Sequence, residues 1–194
     1  MFINSRQREL NMKIVYYGSA LSGKTTNLQY IHARTNPSMR SDLISLKTRA
    51  DRTLFFDYLQ LDLGEIKGLR PRFSLYTVPG QVHYASTRKL VLQGADGLVL
   101  VVDSQRHRLP DNLRTWIELQ RLVDKMGRNI QDFPLVVQFN KQDLPEALPP
   151  DTLRGLLGST GCLLYTSDAA DDLLCVALGG RRIINKTINT TYLL

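Results

Sequence analysis

Lys13-Ile-Val-Tyr-Tyr-Gly18-Ser-Ala-Leu-Ser-Gly23-Lys24-Thr25 is the stretch whose reading decides the fold. Lys13 to Tyr17 is short, β-branched and aromatic, and a helical stretch starts near Lys24. The order is strand, glycine loop, helix. Gly18 to Thr25 fills the pattern G-x-x-x-x-G-K-[ST] completely and stands in the setting that pattern requires. The glycines let backbone N–H groups wrap a phosphate, and the helix N-terminus adds its dipole. Lys24 is placed to reach β- and γ-phosphates and Thr25 to ligand Mg²⁺. Gly18, Ser19, Ser22, Gly23, Lys24, Thr25 and Thr26 are therefore the candidate phosphate set.

Downstream, residues 35–52 are polar and read as a long loop, of the kind that is usually functional inside a compact domain. Thr53 to Leu61 and Arg72 to Thr77 read as strands joined by a turn around Gly64 to Gly68. Tyr84 to Gln93 reads as a short helix. Gly97 to Asp103 is a continuous apolar run, as expected of a strand covered on both faces. Leu113 to Met126 is amphipathic, with Leu113, Trp116, Ile117, Leu119, Leu122, Val123 and Met126 near the 3.6 period. Leu135 to Phe139 is another buried strand, and Pro149-Pro150 opens a helix ending near Gly158. Alternating strands and helices predict an α/β fold, a mainly parallel sheet with helices on both faces and right-handed crossovers.

Two further motifs fall after predicted strands. Asn140-Lys141-Gln142-Asp143 follows Leu135 to Phe139, and such loops face the ligand crevice of a parallel sheet. Asp143 can accept hydrogen bonds from guanine N1–H and its 2-amino group. Adenine offers neither, so a carboxylate there would go unpaired against ATP. Four residues alone would read equally as a polar turn. Thr77-Val-Pro-Gly80-Gln81 could be an ordinary Pro-Gly turn; beside the other motifs, Gly80 is placed to meet a γ-phosphate and Gln81 to orient water.

Together these motifs resemble the Ras-like small GTPases, members of the P-loop NTPases. The wording is closer still to the bacterial gliding-motility and polarity GTPases of the MglA type. Lys13 to Gly18, Leu21 to Leu28, Arg52 to Asp57, Leu75 to Gln81 and Asn140 to Pro145 carry the resemblance, which covers about residues 9–157. It implies a GTP-binding switch that hydrolyses GTP slowly until a roadblock-type activator docks, with polar effector proteins reading the GTP form. The implied cofactors are GTP or GDP and Mg²⁺. Thr53 becomes the threonine that senses the γ-phosphate through Mg²⁺, so Thr25 and Thr53 are the metal set. Arg52 becomes an arginine finger supplied in cis and joins Gln81 as a catalytic candidate; from spacing alone Arg52 is equally a solvated loop residue. The superfamily carries Asp where this chain has Thr77, which implies weaker organisation of the metal. A binding module with little hydrolysis is the alternative, and Gln81 and Arg52 argue against it.

The 194 residues suit one domain. The net charge of +7 has two readings: an anionic partner surface, or a solvated surface plus residues serving a phosphate ligand. No Lys/Arg run exceeds two, which favours the second, so nucleic acid is not an expected partner. No apolar run reaches membrane-spanning length, and the N-terminus lacks a signal sequence. A cytoplasmic location, with recruitment to a cell pole, is the expectation. His83 reads as a surface residue and Trp116 as core.

After Gly158 the pattern changes. Cys162-Leu-Leu-Tyr-Thr-Ser-Asp-Ala-Ala-Asp-Asp172 and Gly179-Gly-Arg-Arg-Ile-Ile184 resemble translated sequencing-adapter DNA. The expected organisation is a G domain over residues 1–158, lacking its native last strand and helix, and an unrelated tail over 159–194. That would leave Leu135 to Phe139 as an open sheet edge.

Overall fold

A computed structural model describes residues 2–4, 8–47, 53–81, 84–158 and 163–166 of the chain. Its elements run β1 (Phe2–Asn4), β2 (Glu9–Tyr17), α1 (Lys24–Arg34), β3 (Ile44–Lys47), β4 (Thr53–Asp62), β5 (Arg70–Thr77), α2 (Ala85–Leu92), β6 (Gly97–Asp103), α3 (Leu109–Lys125), β7 (Leu135–Asn140), α4 (Pro150–Leu157) and β8 (Leu163–Thr166). The strands form one sheet in the order β3-β4-β5-β2-β6-β7-β8, with β1 beside the start of β2. β2 pairs parallel with β5 and β6, β6 with β7, and β7 with β8. β3, β4 and β1 pair antiparallel. The α/β class, the mainly parallel centre and the helices on both faces are as the sequence predicts.

Strand alternation sorts side chains between two cores. Val15, Tyr17, Leu98, Leu100, Val102, Leu135, Val137 and Phe139 face one side, with Val91 and Leu92 of α2, Trp116, Leu119 and Val123 of α3, and Leu153 and Leu157 of α4. Tyr16, Leu59, Leu75 and Val101 face the other, with Leu28 and Ile31 of α1. Trp116 is core, as expected. Ile117 is not: it is 45% exposed, because the buried stripe of α3 runs through Asn112, Trp116, Leu119 and Val123, and one step of 100° carries Ile117 off it.

Several boundaries differ from expectation. The predicted loop over 35–52 contains a short 3₁₀ turn, Pro37–Met39, and the strand β3, which the open edge of β4 recruits antiparallel. β2 begins four residues early, because its polar first half pairs with β1 and β5. α3 begins at Leu109, with Pro110 in its first turn, where a missing N–H costs nothing. The edge of β7 is not open. Leu163–Thr166 pairs parallel with Val136–Phe139; Leu-Leu-Tyr-Thr is β-prone, and a bare edge accepts such a run. The expected absence of a closing helix, and nearly all of the 159–194 tail, lie outside the described residues. Among the described residues no helix is long and apolar enough to cross a membrane.

Candidate functional site

Four parallel strands, β5, β2, β6 and β7, bring their carboxyl ends to one rim of the sheet. The segments that leave them are Val78 to Gln81, Gly18 to Gly23, Ser104 onward, and Lys141 onward. All three motifs therefore converge there, in the crevice where doubly wound sheets take ligands.

The glycine loop leads into α1, whose first turn carries no acidic residue. The N–H groups of that turn and the helix dipole favour an anion. Lys24 is buried, and its Nζ donates to the Gly18 carbonyl at 3.0 Å and the Ser19 carbonyl at 2.7 Å. Burial lowers its pKa to about 7, against the pull of the Asp57 charge, which raises it. The side chain is thus held within the loop and short of compensating anion, the condition a phosphate would relieve. Ser19 Oγ donates to Asn112 Oδ1 at 3.4 Å. Ser22 is buried, with its carbonyl accepting from Asn140. Thr26 is exposed.

Gly23 cannot carry a side chain. Its φ is 102°, and a Cβ would stand 2.2 Å from Asn140 Nδ2. The same Asn140 amide donates to the Ser22 carbonyl at 2.8 Å. The Asn140 to Asp143 loop is thereby tied directly to the glycine loop. Lys141, at a positive φ of 65°, is tied through its Nζ to buried Asp103 Oδ2 at 2.6 Å. Gln142 is fixed by Ser104 Oγ at 2.6 Å and the Leu148 carbonyl at 3.2 Å. Asp143 is exposed at the rim.

Thr77 holds no carboxylate, yet a carboxylate occupies its neighbourhood. β4 and β5 are antiparallel with Tyr58 opposite Tyr76, so Asp57 falls beside Thr77. Asp57 is fully buried. It accepts from Thr25 Oγ1 at 2.6 Å, from Thr77 Oγ1 at 2.8 Å and from Ser45 Oγ. Its own N–H donates to Thr77 Oγ1 at 2.9 Å. The Thr25 hydroxyl and a buried carboxylate beside it are hard oxygen donors that fit Mg²⁺. Among the described residues no cluster of three His, Cys, Asp or Glu could hold a metal alone. The donor set here is the incomplete kind that phosphate and water finish. Thr53 opens β4, and its side chain is not among those described.

Gly80 packs on the phosphate loop: a Cβ would lie 2.5 Å from both the N and the Cα of Ala20. Gln81 follows, half-buried. Its carbonyl accepts from Arg88 Nη1, as does the Pro79 carbonyl at 3.3 Å. Arg52 and His83 lie outside the described residues.

Sequence reasoning passed over Asp57, Arg88, Glu118, Asp103 and Asn112. Asp57 alone offered a signal, a single carboxylate in the otherwise apolar and aromatic middle of a strand. The others are visible only once separate elements have packed.

A glycine loop at a helix start, a hydroxyl beside a carboxylate and an Asn-Lys-x-Asp loop on one rim define a nucleotide-binding protein of the small GTPase class. The family model described as the ADP-ribosylation factor family matches residues 1–169, and the chain belongs to that family of Ras-like GTPases. It is 51% identical over 156 residues to the mutual gliding-motility protein MglA of Myxococcus xanthus strain DK1622, an alignment covering 80% of each chain.

Proposed function

We propose that the chain is a GTP-binding switch that hydrolyses GTP to GDP and phosphate and works in bacterial cell polarity or gliding motility. The observation that carries this reading is the Asn140–Ser22 hydrogen bond of 2.8 Å, which locks a guanine-reading loop to a phosphate loop. In this reading Asp143 accepts from the guanine edge and Lys141 flanks the base. The main-chain amides of Gly18 to Thr26 cradle the phosphates, and Lys24 regains its proton against them. Gly80 N–H meets the γ-phosphate. Gln81 orients a water for in-line attack on the γ-phosphorus, the bond to the β-phosphate oxygen breaks, and GDP leaves with that electron pair. Arg52 neutralises charge that develops on the way. Bound Mg²⁺ supplies further neutralisation of the phosphate oxygens; Thr25 and Thr53 would hold it, with Asp57 fixing the Thr25 hydroxyl.

GTP and GDP differ in their contacts with Thr53 and Gly80, and that difference shifts partner binding. A roadblock-type activator and polar effectors are the partners in this reading, and the cytoplasm with recruitment to a pole is the location. The nucleotide-binding unit is residues 1–158; a chain ended at Gly158 that still binds GDP would bear that out. The test of the reading is single-turnover hydrolysis of GTP by the full chain, with Gln81→Leu beside it. Phosphate release that disappears in Gln81→Leu, with GTP affinity kept, is the expected result. Equal release by both proteins would overturn the catalytic assignment.

A further inference from the structure

We infer that Arg88 and Glu118 form a latch that positions Gln81 for hydrolysis. This rests on the hydrolytic reading above and names residues that reading does not use. The Arg88 side chain is only 5% exposed. Its Nη1 donates to two carbonyls, those of Pro79 at 3.3 Å and Gln81, which flank Gly80. Its Nε and Nη2 donate to Glu118 Oε1 on α3, at 3.0 and 2.7 Å. A buried guanidinium is costly unless its donors are satisfied, and this fork is held with one arm on α3 and the other on the segment after β5. Lys could not span both.

Gly80 is gripped between two rigid references. On one side is the phosphate loop at Ala20. On the other is the Arg88 fork, braced by α3, whose Trp116 and Leu119 sit in the sheet core beside Glu118. The Gln81 main chain therefore has its place set relative to the phosphates by α3. Arg88 meets the segment after β5 through the backbone carbonyls of Pro79 and Gln81, so the role inferred for it is positioning. A misplacement of about 1 Å at a reacting group costs about a hundredfold in rate, while nucleotide affinity rests on the glycine loop and Asn140 to Asp143.

The experiment uses full-length protein carrying Arg88→Gln, Arg88→Lys or Glu118→Ala, with folding followed by thermal melting. Fluorescent GDP affinity and single-turnover GTP hydrolysis are measured on each. Arg88→Gln is expected to hydrolyse about tenfold to a hundredfold more slowly, with GDP affinity changed less than about threefold. Glu118→Ala, at a half-exposed helix position that tolerates Ala, is expected to slow hydrolysis by about three- to tenfold and decides the question where Arg88 variants do not fold. Arg88→Lys is expected not to rescue. Hydrolysis at the unaltered rate in Glu118→Ala and in folded Arg88→Gln, or rate and affinity falling together, would overturn the latch while leaving the GTPase reading intact. Absence of hydrolysis in the unaltered chain would overturn both.

Discussion

The phosphate corner and the segment after β5 are held in opposite ways. Around Gly18 to Thr25 the restraints are many and local. Main chain packs on main chain, Gly23 has no room for a methyl group, and Asp57 draws hydroxyls from α1, β3 and β5 onto one buried carboxylate. Val78 to Gln81 is held at its ends by Val78 N–H on the Tyr16 carbonyl at 3.2 Å and Tyr84 N–H on the Gln81 carbonyl at 3.3 Å, and between them by a close approach at Ala20 and one guanidinium from α2. The first arrangement suits a site that must be ready before ligand arrives. The second, with a single side-chain fork reaching in from α2, suits a segment whose position is adjustable. Changes in the phosphate corner should therefore cost binding, and changes after β5 should cost rate.

The largest expected effect is at Gly23. Gly23→Ala puts a Cβ against the Asn140 side-chain amide in a left-handed backbone, so the Asn140–Ser22 bond must give way and the backbone is strained. Loss of detectable GDP binding at micromolar protein, by fluorescence titration, is the predicted outcome; retained affinity would break the comparison at its firmest point. Next is Asp143→Ala, which removes a charged acceptor for two guanine donors. Hydrogen bonds to charged groups contribute about 1.5–3 kcal/mol each, so GDP affinity should fall by about a hundredfold or more. Asp57→Asn keeps the shape of the buried group and removes its charge. It should raise the Mg²⁺ concentration needed to retain GDP by about tenfold, read from nucleotide release against added chelator.

The smallest effect concerns protons. Lys24 is lowered to about 7 by burial, well below its value in an unfolded chain. Between those two values the unfolded chain holds a proton that the folded chain does not. The contribution of this group to stability therefore rises with pH across that window. Phosphates restore the charge, so nucleotide binding at pH 8 should take up protons, and affinity should weaken as pH rises further. Calorimetry in two buffers of different ionisation enthalpy measures the uptake; proton release would contradict the assignment.

The same contrast explains what could be read from the sequence. The glycine loop, the strands Gly97–Asp103 and Leu135–Asn140 and the loop after each are local patterns, set by side-chain periodicity and turn chemistry. They were legible because a few neighbouring residues determine them. β3 was not, because Ile44–Lys47 is a strand only by virtue of the edge that β4 presents. Asp57 could not be placed beside Thr77 for a related reason: that neighbourhood depends on the antiparallel register of β4 and β5. Arg88 and Glu118 are 30 residues apart and meet only after α2 and α3 have packed on the sheet.

A rim that reads guanine and phosphate together must discriminate GTP from ATP. Competition against fluorescent GDP bound to the full chain tests that discrimination most directly. GTP should displace the probe stoichiometrically, and a large excess of ATP should leave it bound. Displacement by ATP at concentrations similar to those of GTP would show that Asp143 does not read the base, and would contradict the account.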